Sequence, residues 1–187
     1  MRVISGSCRG KKLIPIQGCQ IRPTSDRIKE AIYNILGPKI HGARVLDLFA
    51  GTGALGIEAL SRGADHVVFM DVRCDTIHKN LECCKLKENF QVITADILNH
   101  NSLKLLASQP FDFVFIDPPY ANGYIEQVLQ QESFINLLND NSIVIAEHGF
   151  KENLDASHTG LDIYRQKKYS KTMISFLKTL EYDKDVP

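Results

Sequence analysis

No apolar run in this sequence approaches the roughly 20 residues that a membrane-crossing helix needs. The opening stretch, MRVISGSCRGKK, also lacks the apolar middle of a secretion signal, so the expected compartment is the cytoplasm. The five cysteines (Cys8, Cys19, Cys74, Cys83, Cys84) are odd in number, lack C-x-x-C spacing and include an adjacent pair that could bridge only under strain. They read as reduced thiols acting as small hydrophobes. The six histidines show no H-E-x-x-H or other ligand spacing, so no metal site is expected. Internal repeats and low-complexity tracts are missing as well. With 44% hydrophobic and 24% charged residues, the composition excludes a disordered or collagen-like chain. A length of 187 residues fits one domain with a core of ordinary size.

Net charge is also missing, since 22 Lys and Arg balance 22 Asp and Glu. The balance conceals an asymmetry. Residues 1–44 carry nine basic side chains (Arg2, Arg9, Lys11, Lys12, Arg22, Arg27, Lys29, Lys39, Arg44) against Asp26 and Glu30, and the remainder is correspondingly acidic. Such a block is either a phosphate-binding surface or a solvated basic face.

What is present is an alternation. RVLDLF (44–49), HVVFMD (66–71), FQVITAD (90–96), FDFVFID (111–117) and SIVIAEH (142–148) read as strands. ALGIEALSR (54–62), CDTIHKNLECCKLK (74–87), NSLKLLAS (101–108) and YIEQVLQQ (124–131) read as helices between them. This pattern predicts an α/β fold with a parallel sheet covered on both faces. Runs 162–169 and 172–178 are separated by too few residues for a crossover helix, so the sheet should close with an antiparallel pair. Upstream, 2–16 predicts a small strand-turn-strand hairpin. Residues 22–36 predict a helix capped by Thr24 or Ser25, with Ile28, Ile32 and Ile35 or Leu36 on one face. The last residues, EYDKDVP, are expected to form a tail.

VLDLFAGTGALG places Gly51, Gly53 and Gly56 in G-x-G-x-x-G spacing between a strand and a helix, with Asp71 at the tip of the next strand. Glycines there let backbone approach a ligand, and an acid at that tip can accept both hydroxyls of a ribose. A dinucleotide-dependent dehydrogenase would share these features. Asp47 favours another ligand. An anion four residues before Gly51 would oppose a pyrophosphate but welcome the ammonium and sulfonium of S-adenosylmethionine; the alternative is a loop-bonding or helix-capping role. Asp96, ending the third strand, offers an acceptor for an adenine amino group, or else caps the next helix.

The stretch FIDPPY ends the fourth strand with an acid, two prolines and a tyrosine. A proline pair cannot continue a ladder, so the chain leaves the sheet in an extended turn. Ligands of open parallel sheets bind beyond the strands' carboxyl ends, where strand order reverses, and the strands at 44–49 and 111–117 are candidates to flank that crevice. An exocyclic amine on a base is a poor nucleophile. The Asp117 carboxylate and the Pro118 carbonyl could accept its two N–H groups and bias the nitrogen toward tetrahedral geometry, while Tyr120 offers a stacking face. The alternative is a rigid turn with a packed tyrosine.

On RVISGSCRGKKL, RPTSDRIKEAIYNIL, VLDLFAGTGALGIEALSRGA, FIDPPY and KKYSKTMISFL, the chain resembles the RsmD family of small-subunit ribosomal RNA guanine-N2 methyltransferases. The resemblance implies a Rossmann-like methyltransferase fold with a seven-stranded sheet. It also implies transfer from S-adenosylmethionine to a guanine N2 of 16S rRNA, guanine 966 in that family, with the small ribosomal subunit or its assembly intermediate as partner and no metal. One methyltransferase domain is expected, with residues 1–43 as a basic extension, 44–178 as the core and 179–187 as the tail; nothing demands a dimer, so a monomer is expected. By resemblance, Asp47, Gly51, Gly53, Asp71 and Asp96 hold the cofactor, with Thr24 and Arg27 near its methionine end. Asp117, Pro118 and Tyr120 hold the base. Arg2, Arg9, Lys11 and Lys12, with Arg165, Lys167, Lys168 and Lys171, bind RNA phosphates. Many relatives have Glu where Asp71 stands. Three other readings remain: a DNA adenine-N6 methyltransferase, a dehydrogenase, and a non-catalytic RNA-binding assembly factor.

Overall fold

A computed structural model of the chain describes residues 1–16, 26–99, 101–106, 109–120 and 122–180. Thr24 and Ser25, the expected cap, and Arg22, Cys19 and the 181–187 part of the expected tail lie outside the described residues.

The alternation of β-branched runs and helical patterns produces one seven-stranded sheet in the order β3-β2-β1-β4-β5-β7-β6. Its strands are β1 (Arg44–Leu48), β2 (His66–Asp71), β3 (Phe90–Thr94), β4 (Phe111–Ile116), β5 (Leu138–Gly149), β6 (Leu161–Tyr169) and β7 (Thr172–Thr179). The first five pair in parallel, and β7 runs antiparallel to both β5 and β6. Strand order reverses between β1 and β4. The register sets Leu48 opposite both Met70 of β2 and Ile116 of β4, so Asp71 and Asp117 stand level with the start of the glycine loop.

Period-two alternation sorts the core onto two faces. Val45, Phe69, Phe113, Phe115, Ile145 and Phe176 point to one side, under α1 (Asp26–Leu36), α2 (Ala54–Ser61) and α3 (Asp75–Cys83). Leu46, Leu48, Met70, Val114, Ile116 and Leu177 point to the other, under α4 (Tyr124–Leu129), α5 (Glu132–Ile135) and a 3₁₀ turn, Leu103–Leu106. No helix among the described residues is long and apolar enough to cross a membrane.

Five segments differ from expectation, the first being β5, which starts at Leu138 where Ser142 was expected. The helix expected at 124–131 ends at Leu129, and a separate short helix, α5, which was not expected, starts after Gln131, whose backbone is extended and whose Nε2 donates to the Ile97 carbonyl (3.3 Å). The helix expected at 74–87 stops at Cys83, with Lys85 turned into the left-handed region (φ 60°). The described part of 101–108 holds only the 3₁₀ turn. The hairpin expected at 2–16 narrows to a single antiparallel bridge, Arg2 to Lys12. Side chains of α2 take the donors that a wider ladder would need. Glu58 accepts from the Ile4 and Ser5 amides (2.7 and 3.0 Å), and Ser61 Oγ accepts from the Cys8 amide (2.9 Å). The segment therefore docks on α2, and Val3, Cys8 and Leu13 join the core.

Candidate active site

The glycine loop follows directly from β1. Gly51 and Gly53 have φ of 57° and 76°, in the left-handed region open to glycine at little cost. Gly56 has another role: a Cβ there would lie 2.2 Å from the Phe69 ring, so its lack of a side chain lets α2 lie against β2. Phe49 also has a positive φ (57°), strain that accumulates at functional sites. Its ring stacks on Tyr124 (centroids 6.1 Å apart).

Asp47 is buried within β1, and its Oδ2 accepts from the Gly56 amide at 2.8 Å. Burial raises its pKa to about 8, partly countered by that hydrogen bond and reinforced by Asp71. Asp71, at the end of β2, accepts from the Gly51 amide through Oδ2 (2.8 Å) and from the Arg73 amide through Oδ1 (3.0 Å). Asp96 is exposed past β3 and accepts from the Leu98 amide (3.0 Å); a loop-closing bond stands where a helix cap was the alternative, and among the described residues no α-helix lies between Asp96 and β4. The structure thus brings Asp47, Gly51, Gly53 and Asp71 together, with Asp96 at the neighbouring strand tip. Thr24 lies outside the described residues, and Arg27 is exposed in the first turn of α1.

Across the strand-order reversal, Asp117 is the first residue beyond β4. It is half-buried, followed by buried Pro118 and exposed Pro119. Tyr120 donates its hydroxyl to Glu147 Oε1 on β5 (2.7 Å), and the same oxygen meets Thr172 Oγ1 on β7 (3.0 Å). The phenol is held well above its usual pKa, chiefly by burial, with Thr172 opposing and Glu147 adding to the shift. The residue as a whole is still 40% exposed. Tyr120 is therefore anchored at its tip and accessible elsewhere, as a stacking platform requires.

Three features of the site escape sequence reading. Glu147 and Thr172 anchor Tyr120 from 27 and 52 residues away. Asn80 of α3, fully buried, accepts from the Ile14 amide (2.6 Å) and donates to the carbonyls of Ile14 (3.1 Å) and Thr52 (2.9 Å), tying the amino-terminal segment to the glycine loop. Glu58, also buried, meets Lys29 Nζ (3.2 Å) and Arg62 Nε (2.8 Å), while Lys29 donates to the Arg2 carbonyl (2.6 Å). Only hydrophilic residues inside apolar helical stripes, such as Glu58 in ALGIEALS, hinted at this.

The basic residues fall into two exposed groups. Arg2, Arg9, Lys11 and Lys12 lie on the segment docked to α2, with Arg2 3.7 Å from Asp26. Arg165, Lys167 and Lys168 line the edge strand β6, and Lys171 lies in the β6–β7 turn. That turn is at the same end of the sheet as Asp117, because Thr172 pairs with Gly149 at the carboxyl end of β5. Among the described residues no group of three or more His, Cys, Asp or Glu is placed to hold a metal.

Comparison with known proteins places this geometry among relatives. The family model described as Conserved hypothetical protein 95 matches residues 1–178. A Bacillus subtilis protein named Putative rRNA methyltransferase YlbH is 37% identical over 95% of this chain and 98% of its own. Ribosomal RNA small subunit methyltransferase D of Haemophilus influenzae is 38% identical, covering 79% of this chain and 78% of its own. The solved structure of the putative methyltransferase yhhF from Escherichia coli superimposes with a TM-score of 0.80 at 30% identity, over 96% of this chain and 97% of that one.

Proposed function

The chain belongs to the Conserved hypothetical protein 95 family, the RsmD family, and on that premise we propose that it methylates the exocyclic N2 amine of a guanine in 16S rRNA, guanine 966 in that family, from S-adenosylmethionine. The protein acts in the cytoplasm on the small ribosomal subunit or its assembly intermediate. It works as a monomer and without a metal, as one methyltransferase domain whose residues 1–43 form the basic extension.

The residues at β1 and β2 fit this cofactor. Buried Asp47, held largely protonated at neutral pH, would recover its charge beside a cation and would gain nothing from a pyrophosphate. Asp71 and Asp96 stand at successive strand tips where a ribose and an adenine need acceptors, and Asp71 would exchange its Gly51 contact for ribose hydroxyls. When bound, the cofactor supplies a methyl group on a cationic sulfur, a good leaving group. Thr24 and Arg27 are assigned to its methionine end.

Asp117 and the Pro118 carbonyl accept the two hydrogens of the guanine amine and turn its lone pair toward the methyl carbon. Held by Asp47, Asp71 and Asp96, the cofactor would supply the methyl group to that lone pair and would leave with the electron pair of its own sulfur–carbon bond. The methylated nitrogen then sheds a proton, which Asp117 passes to water. Positioning supplies most of the rate, and Tyr120 holds the base by stacking. Both basic groups are assigned to RNA phosphates: Lys171 lies at the crevice end of the sheet, and Arg9 lies farther away, in the turn docked on the carboxyl end of α2.

The observation that carries this reading is the position of Asp117, immediately beyond β4 and level with the glycine loop of β1 at the strand-order reversal. Replacing Asp117 with alanine tests it. Calorimetry should show cofactor binding retained, while transfer of a labelled methyl group to undermethylated small subunits is lost. Normal turnover by that variant would refute the assignment.

A further inference from the structure

We propose that Tyr124 is a positioning residue for the methyl transfer: stacked on Phe49, it clasps the loop that presents Asp117 to the start of the glycine loop. This rests on the reading of the chain as an RNA base methyltransferase. Leu48 pairs in parallel with Ile116, so Phe49 and Asp117 are the first residues past two neighbouring strands, about 4.8 Å apart in the pairing direction. Phe49 leads into the segment that cradles the cofactor, and Asp117 opens the one that holds the base. A shift of one against the other changes the distance between the methyl carbon and the attacking nitrogen.

The segment from Asp117 to Tyr124 is tied down on both faces of the sheet. Tyr120 meets Glu147 and Thr172, and Glu147 pairs with Ile174 of the core under α1, α2 and α3. Tyr124 is tied on the opposite face, where Phe49 packs in the same cluster as Ile125, Val128 and Leu129 of α4. The rings of Phe49 and Tyr124 are 6.1 Å apart and inclined by 10°, an offset stack. Only three residues separate the two tyrosines. Among them, Asn122 donates through Nδ2 to the carbonyls of Pro119 (3.4 Å) and Tyr120 (3.1 Å), which folds the loop back on itself. The clasp at Tyr124 is therefore only a short, internally bonded loop away from the groups that face the base.

The backbone of Phe49 gives a second reason. Its positive φ (57°) is uncommon for a residue with a side chain and persists where the surroundings over-determine it. The turn that takes up this conformation also delivers the ring to Tyr124. A displacement of about 1 Å at reacting atoms costs about 100-fold in rate, and neither ring has to touch substrate or cofactor for that loss to follow. Removing the stack therefore lowers kcat more than it weakens binding.

Steady-state kinetics on undermethylated small subunits test this with Tyr124→Leu, Phe49→Leu, the double variant and Tyr124→Phe. Tyr124→Leu should lower kcat at least tenfold, with the KM for subunits and the dissociation constant of S-adenosylhomocysteine within threefold of wild type. Tyr124→Phe should restore kcat, because the ring makes the stack and the hydroxyl does not. The double variant should fall no further than the worse single one, as expected of two residues acting as a unit. Hydrogen exchange at residues 122–124, followed without turnover, should quicken at least tenfold in Tyr124→Leu. Phe49→Leu should show the same loss of kcat and the same faster exchange, and decides the matter if Tyr124→Leu does not fold. Unchanged kcat, unchanged exchange, a loss confined to KM, or losses that multiply in the double variant would overturn the clasp and leave the methyltransferase reading standing, since the wild type is then active. A wild type that methylates no subunits would instead overturn that reading, and the positioning role with it.

Discussion

Raising the pH from 6 to 8 is expected to tighten cofactor binding through one carboxyl group. Asp47 is buried in β1 with its pKa raised to about 8, chiefly by burial. With that value it is ionised in about 1% of molecules at pH 6, about 9% at pH 7 and half at pH 8. A cationic ligand that needs the carboxylate then gains about tenfold in affinity from pH 6 to 7 and about fivefold more to pH 8. At pH 7 it should displace close to one proton. Isothermal titration in buffers of different ionisation enthalpy measures both quantities, and Asp47→Asn should flatten the profile. Stability runs the other way. A folded pKa raised above the unfolded value of 3.8 means that the stability this group contributes is complete below about 3.8 and is lost as the pH rises to about 8, by about 1.4 kcal/mol per unit. Asparagine suffers no such loss and can still accept from Gly56. The stability gap between Asp47→Asn and wild type in urea titrations should therefore widen between pH 4 and 8 and level off above. Affinity independent of pH over 6 to 8, with no proton released, would refute the reasoning.

Other perturbations follow from named contacts. Lys29→Met leaves the buried Glu58 carboxylate with Arg62 alone as its ion-pair partner, and should cost about 3 kcal/mol in chemical denaturation, partly recovered in the Lys29→Met/Glu58→Gln double variant. Asn80→Ala removes the tie between Ile14 and Thr52, and is expected to raise the cofactor dissociation constant about tenfold, read by calorimetry on the folded protein. Tyr120→Ala should raise the KM for small subunits roughly 5- to 150-fold through lost stacking. Tyr120→Phe should keep most of that affinity but lose about 1–3 kcal/mol of stability, because Glu147 loses its hydroxyl donor.

The parts of the fold legible in the sequence are those fixed by local periodicity and turn chemistry. Strands β1 to β4 and the β6–β7 pair lie where apolar alternation put them, and Gly51 and Gly53 take the backbone angles that only their spacing announced. The position of Asp117 was legible because prolines end a strand by their own geometry. What local pattern does not carry is the pairing of polar groups across long separations. The Glu58 carboxylate meets amides 54 and 53 residues away, which turns an expected hairpin into a docked segment. Asn80 reaches 66 residues back to Ile14, and Tyr120 finds its anchors on two later strands. Gln131, between α4 and α5, meets a carbonyl 34 residues upstream. In each case one side chain satisfies buried backbone or hydroxyl groups, a requirement that exists only after the elements have packed.

The most direct test of the account is mass-spectrometric mapping of 16S rRNA from cells lacking this gene, complemented with wild type or with Asp117→Ala. The account predicts one guanine without its N2 methyl group in the deletion strain, restored by wild type and not by the variant. A methyl group present without the gene, or restored by Asp117→Ala, would contradict it.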